Sequence, residues 1–449
     1  MSKSTDLIQG PLARQLLLFA LPLAATGILQ QLFNAADVAI VGRFAGKDAM
    51  AAVGSNSPLI GLMVNLFVGI SLGANVVIAQ GLGQRNEKAV SEAVHTSVLV
   101  ALIGGVGFSL LGQLFMRPVL ELLSVPPEVM GLSALYLRIY ICGFPVIFLY
   151  NFESSIFRSQ GDTNTPLIVL AVSGVLNVGL NLFFVLALGM TVDGVALATV
   201  IANAVSAGIL FQLLRRSRHA IRLDVKRLRI HREALRRILR IGIPAGIQGM
   251  IFSLANICIQ SAINSLGTVV MAGSSAAFNL EIFAFYVLNS FGQTCTTFTG
   301  QNFGAGKLER CRRVLRYCVG LDIAFTAVIC GLILLNGHGL LHLFTTDPQV
   351  VASGYTRLCY IFSAYIFSIL LEVMSGYLRG FGRSLLPAAA ALIGVCGVRI
   401  LWIYTVFPHY RTFASIMIIY PISLGITAAV LWLIFAVQRR SMYRQVGQV

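Results

Sequence analysis

The sequence predicts an all-α integral membrane protein of twelve transmembrane helices arranged as two six-helix lobes. Three observations predict it. The 449 residues are 57% hydrophobic and only 11% charged, with a strongly positive mean hydropathy, a balance foreign to soluble domains. Apolar runs of about 20 residues or more, long enough to cross a hydrocarbon core as a helix, recur from end to end. The two halves of the chain also repeat one another at a nearly constant offset.

The runs lie at 16–41, 50–79, 93–115, 130–157, 166–187, 192–214, 241–266, 270–299, 314–335, 354–378, 385–407 and 413–436. The first follows Lys3 and Arg14, as a secretory signal would, but it stays apolar to Val41, beyond the length of a signal's apolar region. A similar segment returns mid-chain, so the first run is read as a span. The second and third flank the polar connector QGLGQRNEK, and the fourth ends before RSQGDTNTP. The fifth opens at Pro166 and the sixth stops at RRSR. The seventh leaves a basic segment, the eighth and ninth flank GQNFGAGKLER, the tenth and eleventh flank RGFGRS, and the twelfth runs into QRRSMYR. Several runs are long enough to tilt or kink.

Positive charge supports this order. Lys and Arg number 26 on one set of alternate connectors, including 11 in 215–240, and 4 on the other set, which holds Arg43, Lys47, Arg117 and Arg411. The excess predicts an even span count with both termini cytoplasmic, in a multi-pass protein of the cell (inner, plasma) membrane. The same placement argues against nucleic acid as partner of the net charge of +16, since no base-stacking aromatics accompany the basic segment. That segment reads as a linker lying on anionic headgroups. The eight cysteines include no C-x-x-C pair and read as small packing residues rather than a zinc site or disulfide frame.

The repeat fixes the domain plan. Pro22, Gly27, Leu32 and Asn34 return as Pro244, Gly249, Leu254 and Asn256; Gln80 and Gly83 as Gln301 and Gly304; Arg158, Gly161 and Pro166 as Arg379, Gly382 and Pro387. The expected division is 1–214, a linker at 215–240, and 241–449. Six spans per copy give the halves the same orientation, and two lobes sharing a central cavity suit alternating access to a carried substrate.

In NAADVAIVG after Pro22, IAQGLGQRNEKAV, SQGDTNTPLIVLAVSGVLNVGLNLFF, GVALATVI and TGQNFGAGKLER, the chain resembles the multidrug and toxic compound extrusion (MATE) transporters over about 14–436. The resemblance implies a V-shaped bundle of two lobes and export of mostly cationic, amphipathic compounds driven by H+ or Na+. It lies nearer the branch similar to DinF, whose first-lobe cation site gathers a first-span Asp, an Asn and an Asp four apart on the fifth span, and a sixth-span Thr. Asp37, Asn177 and Thr199 match that pattern, while Asn181 replaces its second acid. The branch similar to NorM implies a seventh-span acid, and 241–266 has none.

Asn177 and Asn181 share one helix face and can converge where Asp37 reaches, although amides also bond helix to helix at about 0.6–2 kcal/mol. The Thr199 hydroxyl has its own backbone as a competing partner. These four are the expected coupling site, for H+ or for Na+, which would be the only bound metal. Asn34, Glu281, Glu372 and Arg399 are the expected substrate-binding residues, with an acid–arginine pair as the competing structural reading. Glu153 and Asp322 are placed near span ends, where snorkelling makes charge inexpensive.

Other chemistry finds no support. His338 and His342 lack a third metal ligand nearby, QNFGAGKL lacks the first glycine and the Ser or Thr of a phosphate loop, and no Ser, His and Asp constellation suggests an enzyme. No cofactor is expected beyond the coupling ion. The expected function is a monomeric, cation-coupled antiporter exporting organic cations across the bilayer. The rival is a flippase for lipid-linked precursors of the same wider superfamily, whose anionic cargo calls for a basic cavity.

Overall fold

In hydrocarbon a backbone amide has no water to bond, so an apolar run closes its own hydrogen bonds as a helix. The computed structural model describes residues 7–122 and 125–444 and is helical almost throughout. The helices of the first half are α1 (Leu12–Ile40), α2 (Lys47–Gly83), α3 (Glu87–Leu122), α4 (Pro127–Cys142), α5 (Phe144–Ser159), α6 (Asn164–Leu182) and α7 (Val192–Arg216). The second half holds α8 (Arg232–Asn264), α9 (Thr268–Gly304), α10 (Leu308–Leu335), α11 (Gly337–His342), α12 (Pro348–Gly380), α13 (Leu385–Ala391), α14 (Val398–Thr405), α15 (Phe413–Met417) and α16 (Ile419–Arg444).

Among the described residues, eleven spans are long and apolar enough to cross a membrane, and twelve if the bent pair α4 and α5 counts as one. That pair is the expected span 130–157, bent by 49°. The bend falls at Gly143 and Pro145, where proline lacks the N–H that would continue the helix. The expected span 385–407 is α13 and α14 joined by a π-helical turn, Leu392–Gly397. Similar turns close α1 at Val41–Ala45 and α6 at Phe183–Ala187.

The repeat reappears in the backbone. Six of the eight left-handed residues described occur in pairs 221 apart: Gly46 (φ 93°) and Gly267 (φ 100°), Arg85 (φ 55°) and Gly306 (φ 71°), Gly161 (φ 92°) and Gly382 (φ 80°). Arg85 is the only non-glycine among the described residues to adopt this conformation, and glycine stands at its counterpart. A turn of the same handedness has therefore been kept at the same place in both copies.

The chain forms two compact units. One is Ala25–Gly242, and the other joins the chain from Ile243 onward to the stretch ending at Ala24. This differs from the expected division, because the start of α1 packs with the second half: Asn302 Nδ2 donates to the Leu7 carbonyl (3.2 Å), and Arg310 donates to the carbonyls of Gln9 and Gly10. The basic segment 215–240 belongs to the first unit and is bonded to it. His95 Nε2 meets the Asp224 backbone at 3.1 Å, and Arg237 donates to Gln80 Oε1 at 2.7 Å. The extreme termini, whose cytoplasmic placement the charge count implies, lie outside the described residues.

In the second unit, α9 and α12 approach through glycine. A Cβ on Gly376 would overlap the Gly292 carbonyl, and one on Gly273 would crowd the Val350 carbonyl at 2.5 Å. Small residues at such crossings let spans pack where lipid offers no hydrophobic drive.

The charge asymmetry yields a topological test. In a cysteine-free background, a single cysteine at Gly189 should react with an impermeant thiol reagent added outside intact cells, whereas one at Arg229 should react only after permeabilisation. Labelling of Arg229→Cys from outside would refute the orientation.

Candidate functional site

α1, α6 and α7 bring four polar side chains together inside the first unit. Asp37 lies near the end of α1, and its side chain is largely buried. Asn177 and Asn181, one turn apart on α6, are buried on the same face, and Thr199 reaches in from α7. Close approach of α1 and α6 depends on Gly174, because a Cβ there would overlap the Phe33 ring.

Asn181 Nδ2 donates to Asp37 Oδ1 at 2.5 Å and lies 3.4 Å from Asn177 Oδ1. Asn177 Nδ2 lies 3.4 Å from Thr199 Oγ1. The single Thr199 proton has its shorter bond to the Val195 carbonyl, at 3.0 Å, and a longer one to Asp37 Oδ2, at 3.4 Å. Both expected alternatives for this threonine are thus present together. Asn181 Oδ1 is buried and accepts no hydrogen bond. No basic side chain forms an ion pair with Asp37 among the described residues. Carboxylate, amide and hydroxyl oxygens with one unsatisfied acceptor make an environment fit for a small cation or a proton.

Tyr136 and Tyr140 of α4 lie within electrostatic reach of Asp37. Sequence reasoning missed them because they stand some 100 positions away on a helix with no motif. Asn34, one turn before Asp37, is exposed and takes no part in these bonds.

The expected substrate residues do not form one cluster. Glu281 of α9 is held by Arg357 of α12, whose Nη2 and Nε lie 2.9 and 3.2 Å from Oε2. Arg357 also donates to Ser274 Oγ at 2.9 Å. Glu372 pairs with Arg379 two turns along α12, at 3.4 Å. Acid–arginine pairs do form, but Arg399 is in neither. It donates to Asn256 Oδ1 and to Ser423 Oγ, each at 3.0 Å, and lies over the Tyr420 ring.

Glu153 and Asp322 do not snorkel outward but point into the protein. Both are fully buried, Asp322 in mid-α10 with one oxygen accepting from Thr326 at 2.9 Å, and Glu153 with neither oxygen bonded. Both acids lie on helix faces packed against neighbouring helices, which the hydropathy of a run does not reveal. His338 stacks on Tyr355, and His342 Nδ1 lies 3.3 Å from the Thr345 carbonyl, so the two rings serve different neighbours.

Known proteins resemble the chain over most of its length. A family model described as MatE matches residues 22–183 and again 244–405. The probable multidrug resistance protein YoeA of Bacillus subtilis (strain 168) is 30% identical over 396 residues, which cover 86% of this chain and 85% of that protein. The probable multidrug resistance protein NorM of Thermotoga maritima is 28% identical, with 86% and 84% covered. The fold matches a solved structure described as the outward-facing conformation of a multidrug resistance MATE family transporter of the MOP superfamily, with a TM-score of 0.90 over the whole of both chains at 20% identity.

The contact between α1 and α6 can be tested directly. Gly174→Leu should destabilise the purified protein by about 1–3 kcal/mol, as overpacking does. Gly179→Leu on the same helix, where an added Cβ meets nothing, should melt near wild type. Equal thermal unfolding curves for the two variants would refute the account.

Proposed function

The chain belongs to the multidrug and toxic compound extrusion family, and we propose that it is a cation-coupled antiporter whose coupling cation, H+ or Na+, binds at Asp37. The observation that carries the reading is the buried carboxyl of Asp37, without a basic partner and ringed by Asn177, Asn181 and Thr199, with the Asn181 carbonyl oxygen unsatisfied. A bare charge at membrane depth costs about 2.5–3.5 kcal/mol on insertion scales, so cancelling it is worth a change of helix packing. A proton would do this by converting the carboxylate to a neutral acid that donates to a neighbouring oxygen. Na+ would do it by drawing the carboxylate, amide and hydroxyl oxygens inward. A cation that favours one conformation over the other supplies the drive for export.

Substrates in this reading are amphipathic organic cations carried by a monomer in the cell membrane. Support comes from Glu281 and Glu372, whose side chains are 13% and 18% exposed while their partners Arg357 and Arg379 are 6% and 8% exposed. Each carboxylate therefore offers a free edge to an arriving cation without losing its arginine. The relatives named as multidrug resistance proteins agree with a broad range of small molecules.

In proteoliposomes, Asp37→Asn should reach normal abundance but lose gradient-driven export by about 5–150-fold, the range of a typical coupling energy. Asn177→Ala and Asn181→Ala should show weaker forms of the same defect. Near-normal export by Asp37→Asn would end the proposal. Glu281→Gln and Glu372→Gln should slow export of cationic compounds more than of neutral ones at equal protein levels, and equal losses for both classes would assign these acids to packing.

A further inference from the structure

The two matched stretches begin at 22 and 244, an offset of 222. On that offset Asn34 of α1 corresponds to Asn256 of α8, while on the 221 that relates Pro166 to Pro387, Asn177 of α6 falls at Val398 of α14, beside Arg399. Asp37 corresponds to Ile259, which is buried and apolar. The second unit therefore repeats the helices of the candidate coupling site without its acid.

The polar meeting point is nevertheless rebuilt there. Arg399 Nη1 donates to Asn256 Oδ1 of α8, and Nε donates to Ser423 Oγ of α16, both at 3.0 Å. Its guanidinium carbon lies 4.5 Å from the Tyr420 ring centroid. The group is 2% exposed. No carboxylate lies within ion-pair distance among the described residues, since Glu281 serves Arg357 and Glu372 serves Arg379. Amide oxygen, hydroxyl oxygen and an aromatic face are cation-accepting groups, and they surround a cation that the chain itself supplies.

We propose that Arg399 is a tethered cation that permanently fills, in the second unit, the place a coupling cation visits in the first. The second unit is then held in its loaded arrangement, and one coupling cation, bound in the first unit, drives each cycle. The inference rests on the coupling role given to Asp37. It differs from an ordinary structural arginine in that charge at this position, and not shape alone, sets the transport rate. It also predicts what the vacated position accepts: a planar, monovalent organic cation of the guanidinium class.

The test uses the full-length protein reconstituted in liposomes. Arg399→Ala should export about tenfold more slowly than wild type, an effect on the scale of losing a cation with fixed planar geometry. Millimolar ethylguanidinium should restore much of that rate and raise the melting temperature of Arg399→Ala, while neutral ethylurea, of the same shape, should do neither. Wild type measured with each additive provides the baseline and should not be stabilised. If Arg399→Ala fails to reach the membrane, Arg399→Lys should export faster than Arg399→Gln. Activation of wild-type export by the coupling cation should follow a single-site curve. The proposal is overturned by wild-type export from Arg399→Ala or Arg399→Gln, by equal rates for the Lys and Gln variants, by no stabilisation from ethylguanidinium or equal rescue by ethylurea, or by cooperative activation. Asp37→Asn in the same assay separates the two readings: its retention of gradient-driven export removes the coupling role, whereas rescue of Arg399→Ala stands or falls on its own.

Discussion

Inside hydrocarbon no water is available to satisfy a polar group, and this constraint governs the rest of the structure. The backbone meets it by running as helix almost throughout. Hydroxyl side chains meet it by bonding back along their own helix, as Ser97 does to the Ala93 carbonyl, Thr294 to Ser290 and Thr427 to Ser423. Charged groups have fewer options. Glu281 and Glu372 are neutralised by arginines, which suits a buried acid, because breaking such a pair leaves an isolated charge at a cost of about 3–5 kcal/mol.

Buried groups that form no ion pair among the described residues include Glu153 and Asp322, with Asp37 and Arg399, of which the last two sit in polar clusters. Among the described residues, Asp37 has an amide and a hydroxyl for company but no basic partner, and Arg399 has an amide, a hydroxyl and a ring but no ion-paired acid. Asp37 and Arg399 carry opposite charge on repeat-related helices, one in each unit. On the proposed reading, a duplicated scaffold keeps its helices while one copy remains responsive to an outside cation and the other carries its own. The departure from symmetry is then a division of labour between copies, made by single residues at positions the fold had already converged.

Helix crossings make these placements possible. Gly174 lets α6 reach the Phe33 face of α1, which brings Asn181 within bonding distance of Asp37. Gly273 and Gly292 draw α9 onto α12 at two levels, and Glu281 lies between them, facing Arg357. Glycine thus makes room for backbone at the α9–α12 crossing and for the Phe33 ring beside α6.

Much of this protein was readable from its amino acids. Span number, the six-plus-six repeat and the convergence of Asp37, Asn177, Asn181 and Thr199 follow from hydropathy, offset, spacing and family resemblance, because run length and helical period are local properties of the chain. The partner of each arginine was not readable. From sequence, Arg399 is the arginine to set beside Glu281 and Glu372, whereas Arg357 and Arg379 hold them, and Glu153 and Asp322 look placed to snorkel but are buried. Only the tertiary structure decided these matters, since a helix presents side chains around its full circumference and the side that meets a neighbour is set by inter-helix packing. The split of α1 between units has the same origin: its start is held by Asn302 and Arg310, residues some 300 positions away that no local pattern connects to it.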